Sequence, residues 1–242
     1  MAQPLPNMTH HDEELAHLKE LLITMAGHAE AAVNRYIRAL VERDSATASR
    51  ATEEDRVIDQ LEVEIDELAI GLLAKAPLAG DLRLITVAMK ISHDLERVGD
   101  EATTIARRTV ELNEEAPLKP YVDIPHMARL ALEMLREALD AFVNRDPGRA
   151  RAVIPRDKEV DGLNKQLHRE LASYMVEKPS TITRCLNLMV ISKALERIAD
   201  HATNIAEEVV FLYEGQDIRH LPGARAVVRP ATSVATPPAQ AS

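Results

Sequence analysis

Residues 91–112, ISHDLERVGDEATTIARRTVEL, return a hundred positions later as residues 191–212, ISKALERIADHATNIAEEVVFL. With no gap, 12 of the 22 positions agree, so the chain is a tandem duplication and its two halves share one fold. The agreement is of two kinds. Leu95, Ala102, Ile105 and Leu112, with their echoes a hundred residues on, keep helical spacing and belong to a core. Glu96, Arg97 and Asp100, with Glu196, Arg197 and Asp200, are charged, and a core has no use for them. Function is to be sought in this second set.

The 242 residues leave room for two halves of about 100 each, large enough for each to hold a core. Apolar residues make up 46% of the chain but aromatics only 2%, with Trp absent and Gly scarce, a composition that suits helices. The net charge of -10 repels phosphate backbones and anionic headgroups, so no direct nucleic-acid contact is expected. A single cysteine, Cys185, forms no intrachain disulfide and reads as a small buried hydrophobe. The first residues lack a signal-peptide pattern and no segment approaches ~18 uncharged apolar residues, so a cytoplasmic, soluble protein is expected.

Working outward from the echoed stretch, six helices emerge. Thr9 is placed to cap the first, whose Leu15, Leu18, Leu22, Met25, Ala29, Ala32 and Tyr36 form one apolar stripe. Asp44 and Ser45 break it. The second carries Ile58, Leu61, Ile65, Leu68 and Leu72 and is expected to stop at Pro77 and Gly80, after which Asp81 caps the third. The run NEEAPLKPYVDIP is the internal linker, and the cycle then repeats. Asp146 with Pro147 opens the fifth helix, Pro155 should kink it, Pro179 ends it and Thr181 opens the sixth. The expected fold is all-α: two tandem three-helix bundles, residues 1–115 and 121–215, followed by a disordered tail over 216–242.

Glu96 and Asp100 are four apart, one turn along one helix face. Asp55 and Asp59 repeat the device on the second helix, and Asp157 with Asp161 and Glu196 with Asp200 repeat both in the second half. Neighbouring antiparallel helices could then gather four carboxylates per half. Like charges at this spacing cost a few tenths of a kcal/mol per pair, so a compensating cation is implied. One candidate is local: Arg56, Arg97, Lys158 and Arg197 each stand three residues before a closing Asp, giving weak surface ion pairs. The other is a bound hard cation, which prefers carboxylate oxygens. Both readings stand at this point.

Helical phase turns the acids away from the apolar stripe, which argues against a ferritin-like oxidase with its inward carboxylates and paired Glu-x-x-His elements. The one such element, Glu14 to His17, reads as chance. His93, one turn before Glu96, adds a candidate ligand in the first half, but its counterpart is Lys193. Glu207 is likewise matched by Arg107, so the two sites should differ in charge. No phosphate loop, Ser-His-Asp set or activated cysteine is found, so no covalent catalysis is expected.

With these residues assembled, the chain resembles the PhoU family of phosphate-signalling regulators from about residue 12 to residue 220, most specifically through LERIADHATNIAE, backed by LERVGD and both acid pairs. The resemblance implies a homodimer of paired three-helix bundles that carries multinuclear metal clusters, iron or zinc first, with magnesium or manganese as further candidates. By motif, Asp55, Asp59, Glu96 and Asp100 would form one site and Asp157, Asp161, Glu196 and Asp200 the other. It further implies a non-enzymatic negative regulator of phosphate uptake and phosphate-starvation signalling. Such a regulator contacts the ATPase subunit of the phosphate ABC transporter and a phosphate-sensing histidine kinase, and meets the membrane only through these partners. The chain departs from the pattern where EATTIARR replaces HATNIAEE, which weakens the expectation of metal in the first half. A metal-dependent carboxylate-bridged enzyme, or an accessory protein of another phosphate carrier, are the alternative readings.

Overall fold

The computed structural model describes residues 10–75 and 79–218, and every regular element among them is helical. Thr9, Pro77 and residues 219–242 of the expected tail lie outside the described residues. In chain order the helices are α1 (His10–Glu42), α2 (Ser45–Ala48), α3 (Ala51–Leu73), α4 (Ala79–Asn113), α5 (Asp123–Asn144), α6 (Pro147–Val153), α7 (Asp157–Glu177) and α8 (Ile182–Glu214). Two 3-10 turns, Ile154–Arg156 and Pro179–Thr181, complete the set.

Each half is three long helices with a short one after the first, which adds α2 and α6 to the expected six. Asp44 and Asp146 explain the short helices. Their carboxylates accept from the backbone N–H of Thr47 at 3.0 Å and of Arg149 at 2.9 Å, satisfying a donor that the first turn would otherwise leave unpaired. Both caps follow a residue in the left-handed region, Arg43 at φ 60° and Arg145 at φ 55°, which closes the preceding helix. Pro155 does more than kink the fifth helix of the sequence reading. Lacking an N–H and clashing with the preceding turn, it splits that helix into α6, a 3-10 turn and α7.

Two further boundaries differ from expectation, and a third agrees in position but not in its bonds. Asp81 lies inside the first turn of α4, 3.4 Å from His11, and is not the cap. Thr181 stands at the N-cap position of α8, as expected, though without a cap bond; its hydroxyl donates to the carbonyls of Lys178 at 2.7 Å and Tyr174 at 3.2 Å, tying the turn to the end of α7. Pro125 falls in the first turn of α5, where a missing N–H is harmless, so the linker is shorter than its proline spacing suggests.

α1, α3 and α4 pack as one bundle and α5, α7 and α8 as the other, with α4 laid along α8 and α1 touching α5. One apolar cluster runs from Leu15 to Ile218 through both bundles. Cys185 sits inside it as a free thiol. Each large side chain in the cluster contributes about 1.5–3 kcal/mol by leaving water.

The seam between the repeats is antiparallel. Lys90 Nζ on α4 lies 3.0 Å from the Glu208 carboxylate on α8, Asp94 Oδ1 lies 2.8 Å from His201 Nδ1, and Glu101 Oε1 accepts from Arg197 at 3.1 Å. As one residue number rises its partner's falls. The two halves are thus related by an approximate two-fold between α4 and α8, and both acid-bearing helix pairs flank that seam.

Candidate metal centre

Two side chains from α3 and two from α4 make the first-half cluster. Asp55 and Asp59 stand a turn apart on α3, Glu96 and Asp100 on α4. Gly99 is where the helices come close: a Cβ there would stand 3.0 Å from the Ile58 side chain and 3.2 Å from Asp55 Oδ1. The missing side chain lets the Asp55 carboxylate settle against α4. Burial, then the charges of Asp59 and Asp100, push the Asp55 carboxyl above its ordinary value, while a hydrogen bond from Thr103 pulls the other way. Glu96 is pushed up by burial, then by Asp100 and Glu62, and is opposed by Arg97 and His93. The carboxylates share one field.

Among the described residues, one set of three brings potential ligand atoms within 4.8 Å of one another: Glu62, His93 and Glu96. His93 Nδ1 is 3.4 Å from Glu62 Oε1. His93 was visible in the sequence as a candidate. Glu62 reads from the sequence as one more outward acid on a helical wheel; it matters only because α3 and α4 are neighbours.

The second half gathers Asp157 and Asp161 from α7 with Glu196 and Asp200 from α8. Asp200 has its carboxyl pushed up to about 6 by burial, then by Asp157, Glu196 and Asp161, with Lys193 opposing. Four negative groups at mutual influence are what the fourfold motif promised. The expectation that all of them face outward needs correcting, since Asp157 is only 6% exposed and Glu196 only 8%. Their helix phase is as read, but the neighbouring helix covers the groove in which they lie.

Compensation also differs between halves. Arg97 behaves as the local reading expects, donating to Asp100 at 2.9 Å and lying 3.2 Å from Glu96. Arg197 instead crosses the seam to Glu101. In its place the Lys193 ammonium, one turn before Glu196, pairs with that carboxylate, and Lys165 Nζ lies 3.5 Å from Asp161. Aligning α3 with α7 through Asp55 and Asp157 matches Glu62 to Asn164. Asn164 is buried, and its side-chain oxygen accepts from Ser192 at 2.6 Å.

The contrast between EATTIARR and HATNIAEE acts at the seam. His201 and Asn204 bind Asp94, at 2.8 Å and 3.2 Å, Glu208 binds Lys90, and Arg108 pairs with Glu111 at 2.9 Å. His201, Asn204 and Glu208 thus build the seam, with Arg108 at its flank. Glu207 is buried, while its counterpart Arg107 is exposed.

As donors, the clusters fit a cation. Carboxylates suit hard ions, and the imidazole of His93 extends the first set toward zinc or iron. Mutual repulsion in a partly desolvated groove is what a bound multivalent ion would relieve.

The PhoU domain matches the chain twice, over residues 22–109 and 124–209. The phosphate-specific transport system accessory protein PhoU homolog of Pseudomonas aeruginosa is 42% identical over 222 residues, covering 89% of this chain and 92% of that protein. The homolog of the same description from Aquifex aeolicus is 42% identical over 209 residues, covering 86% and 95%. The crystal structure of PhoU from Pseudomonas aeruginosa superposes with a TM-score of 0.82, over 85% of this chain and 99% of that one, at 42% identity. That of the phosphate transport system regulatory protein PhoU from Streptococcus pneumoniae superposes with a TM-score of 0.81 at 27% identity, over 86% and 99%. A helical protein built of two like three-helix bundles with twin acid grooves defines the class, and this chain belongs to the PhoU family.

Proposed function

We propose that this protein is a non-enzymatic accessory regulator of phosphate transport, which lowers phosphate uptake and phosphate-starvation gene expression when phosphate is plentiful. The observation that carries the reading is family membership across both repeats, with relatives named for the phosphate-specific transport system. It acts by contact, as a cytoplasmic homodimer docked on the ATPase subunit of the phosphate ABC transporter and on a phosphate-sensing histidine kinase. No helix among the described residues is long and apolar enough to cross a membrane, which supports arrival at the membrane through partners. Metal held by Asp55, Asp59, Glu96 and Asp100, and by Asp157, Asp161, Glu196 and Asp200, would neutralise the acid grooves and stiffen the helix pairs that present the docking surface.

The test is deletion of the gene, with alkaline phosphatase measured in phosphate-rich medium. Derepression is expected, reversed by the wild-type copy. Repression that stays unchanged would remove the regulatory claim.

A further inference from the structure

We propose that the cavity between the end of α4 and the start of α8 is a binding site for a purine nucleoside monophosphate. The inference stands apart from the acid grooves and from the regulatory reading above.

The antiparallel seam has two ends, and the approximate two-fold makes them comparable. At one end the cations of Arg83 and Lys90 lie over the ring of Phe211, 5.7 Å and 5.5 Å from its centre. A cavity of about 480 Å³ there has its polar groups paired: Lys90 with Glu208, and Asp94 with His201 and Asn204. At the other end Glu111 takes the place of Phe211, Val190 that of Lys90 and Arg108 that of Glu208. The cavity here measures about 610 Å³, a size that suits a small organic molecule.

Two groups in this second cavity have hydrogen bonds to spare. Asn187 is only 5% exposed, yet its side-chain amide has no partner among the described residues. Its counterpart Val87 is fully buried, so packing at this position is satisfied by an apolar side chain. Arg108 directs Nη1 to Glu111 at 2.9 Å, while its buried Nε has no partner among the described residues. A buried polar group left unpaired is costly, and a ligand that pairs it removes that cost.

The lining specifies the ligand. Leu186, Met189 and Val190 give an apolar wall for a flat ring. The Asn187 amide offers a donor and an acceptor side by side, the complement of an adenine edge. Arg108 and the half-exposed Lys193 supply cations for a phosphate, and Glu111 supplies an acceptor for sugar hydroxyls. Both cations already have a carboxylate partner, Glu111 and Glu196, and the chain carries a net charge of -10, which favours one phosphate over three.

The experiment is calorimetric titration of the chelator-treated full-length chain with adenosine monophosphate (AMP), adenosine and inorganic phosphate. No metal is added, so no nucleotide is held through an ion in the acid grooves. Wild type should bind AMP, with adenosine and phosphate at least about tenfold weaker, since each makes only part of the contacts. N187V, which installs the first half's residue, and R108Q should each weaken AMP binding by about tenfold or more. Urea unfolding without nucleotide should find N187V no less stable than wild type, because it gives up an unpaired amide. AMP affinity left unchanged in either variant, adenosine or phosphate binding as tightly as AMP, or no AMP binding at millimolar concentration would each overturn the site. So would a clear loss of stability in N187V, which would show the amide to be paired within the fold.

Discussion

Asp200 shows how a single carboxylate reports on its cluster. Its carboxyl is held near pH 6 in the folded chain against an ordinary value of 3.8, through burial and then through Asp157, Glu196 and Asp161. Between those pH values the folded protein keeps a proton that the unfolded chain releases, so raising the pH from about 4 to about 6 lowers stability. The variant D200N, which cannot ionise, should lose that slope and be more stable than wild type at pH 7 without metal. Urea unfolding at pH 4.5, 6 and 7 in chelator checks this; a wild-type chain that gains stability relative to D200N over that interval contradicts the assigned repulsion. The acid pairs themselves were legible from spacing. Their burial was not, because a helical wheel describes one helix and the groove is made by two.

At the level of the helices, the paired breaks at Arg43-Asp44 and Arg145-Asp146 carry opposite predictions. Both arginines hold a left-handed backbone that favours glycine. Replacing Arg145 by glycine relieves that strain with little lost, so R145G should raise unfolding free energy by about 0.5–1 kcal/mol. Arg43 is different, since its guanidinium donates to the carbonyls of Asn113 at 2.8 Å and Glu115 at 2.7 Å, tying the α1 turn to the end of α4. R43G should therefore destabilise by about 1–2 kcal/mol despite the same backbone relief. Chemical denaturation of both variants separates the two effects. The Asp146 cap and Pro147 could be read from the sequence because they act within a few residues, whereas Asp44 reads there only as a break. Where Asp81 would act could not be read in this way, because the start of α4 is decided by what the adjoining turn presents.

Across the whole molecule, the seam couples the repeats. Lys90 on α4 meets Glu208 on α8, and Glu208 is 5% exposed, so the pair lies partly under the adjoining helices. K90M takes that ammonium from a buried carboxylate and should cost about 1–3 kcal/mol, most of it recovered in K90M/E208Q. A double-mutant cycle in urea measures the coupling, and additive effects would mean that the seam contact contributes little. Because one apolar cluster spans both bundles, the same titrations should show a single transition when followed by far-ultraviolet circular dichroism and by tyrosine absorbance. Two separated transitions would mean that the bundles unfold independently.

Periodicity and repetition, which are local or self-referential, determined the helical class, the duplication, the two sets of acids and the family resemblance from the sequence alone. Only the tertiary structure decided how the repeats meet: α4 runs antiparallel along α8, so Glu101 and His201, which share one repeat position but differ between the halves, are both used on the seam. It also decided that Glu62 joins His93 and Glu96 while Lys193 neutralises Glu196. The reason is reach. A helix fixes spacing along one face, but side chains from two helices gather only where packing sets the distance between them, and packing is a property of the assembled core.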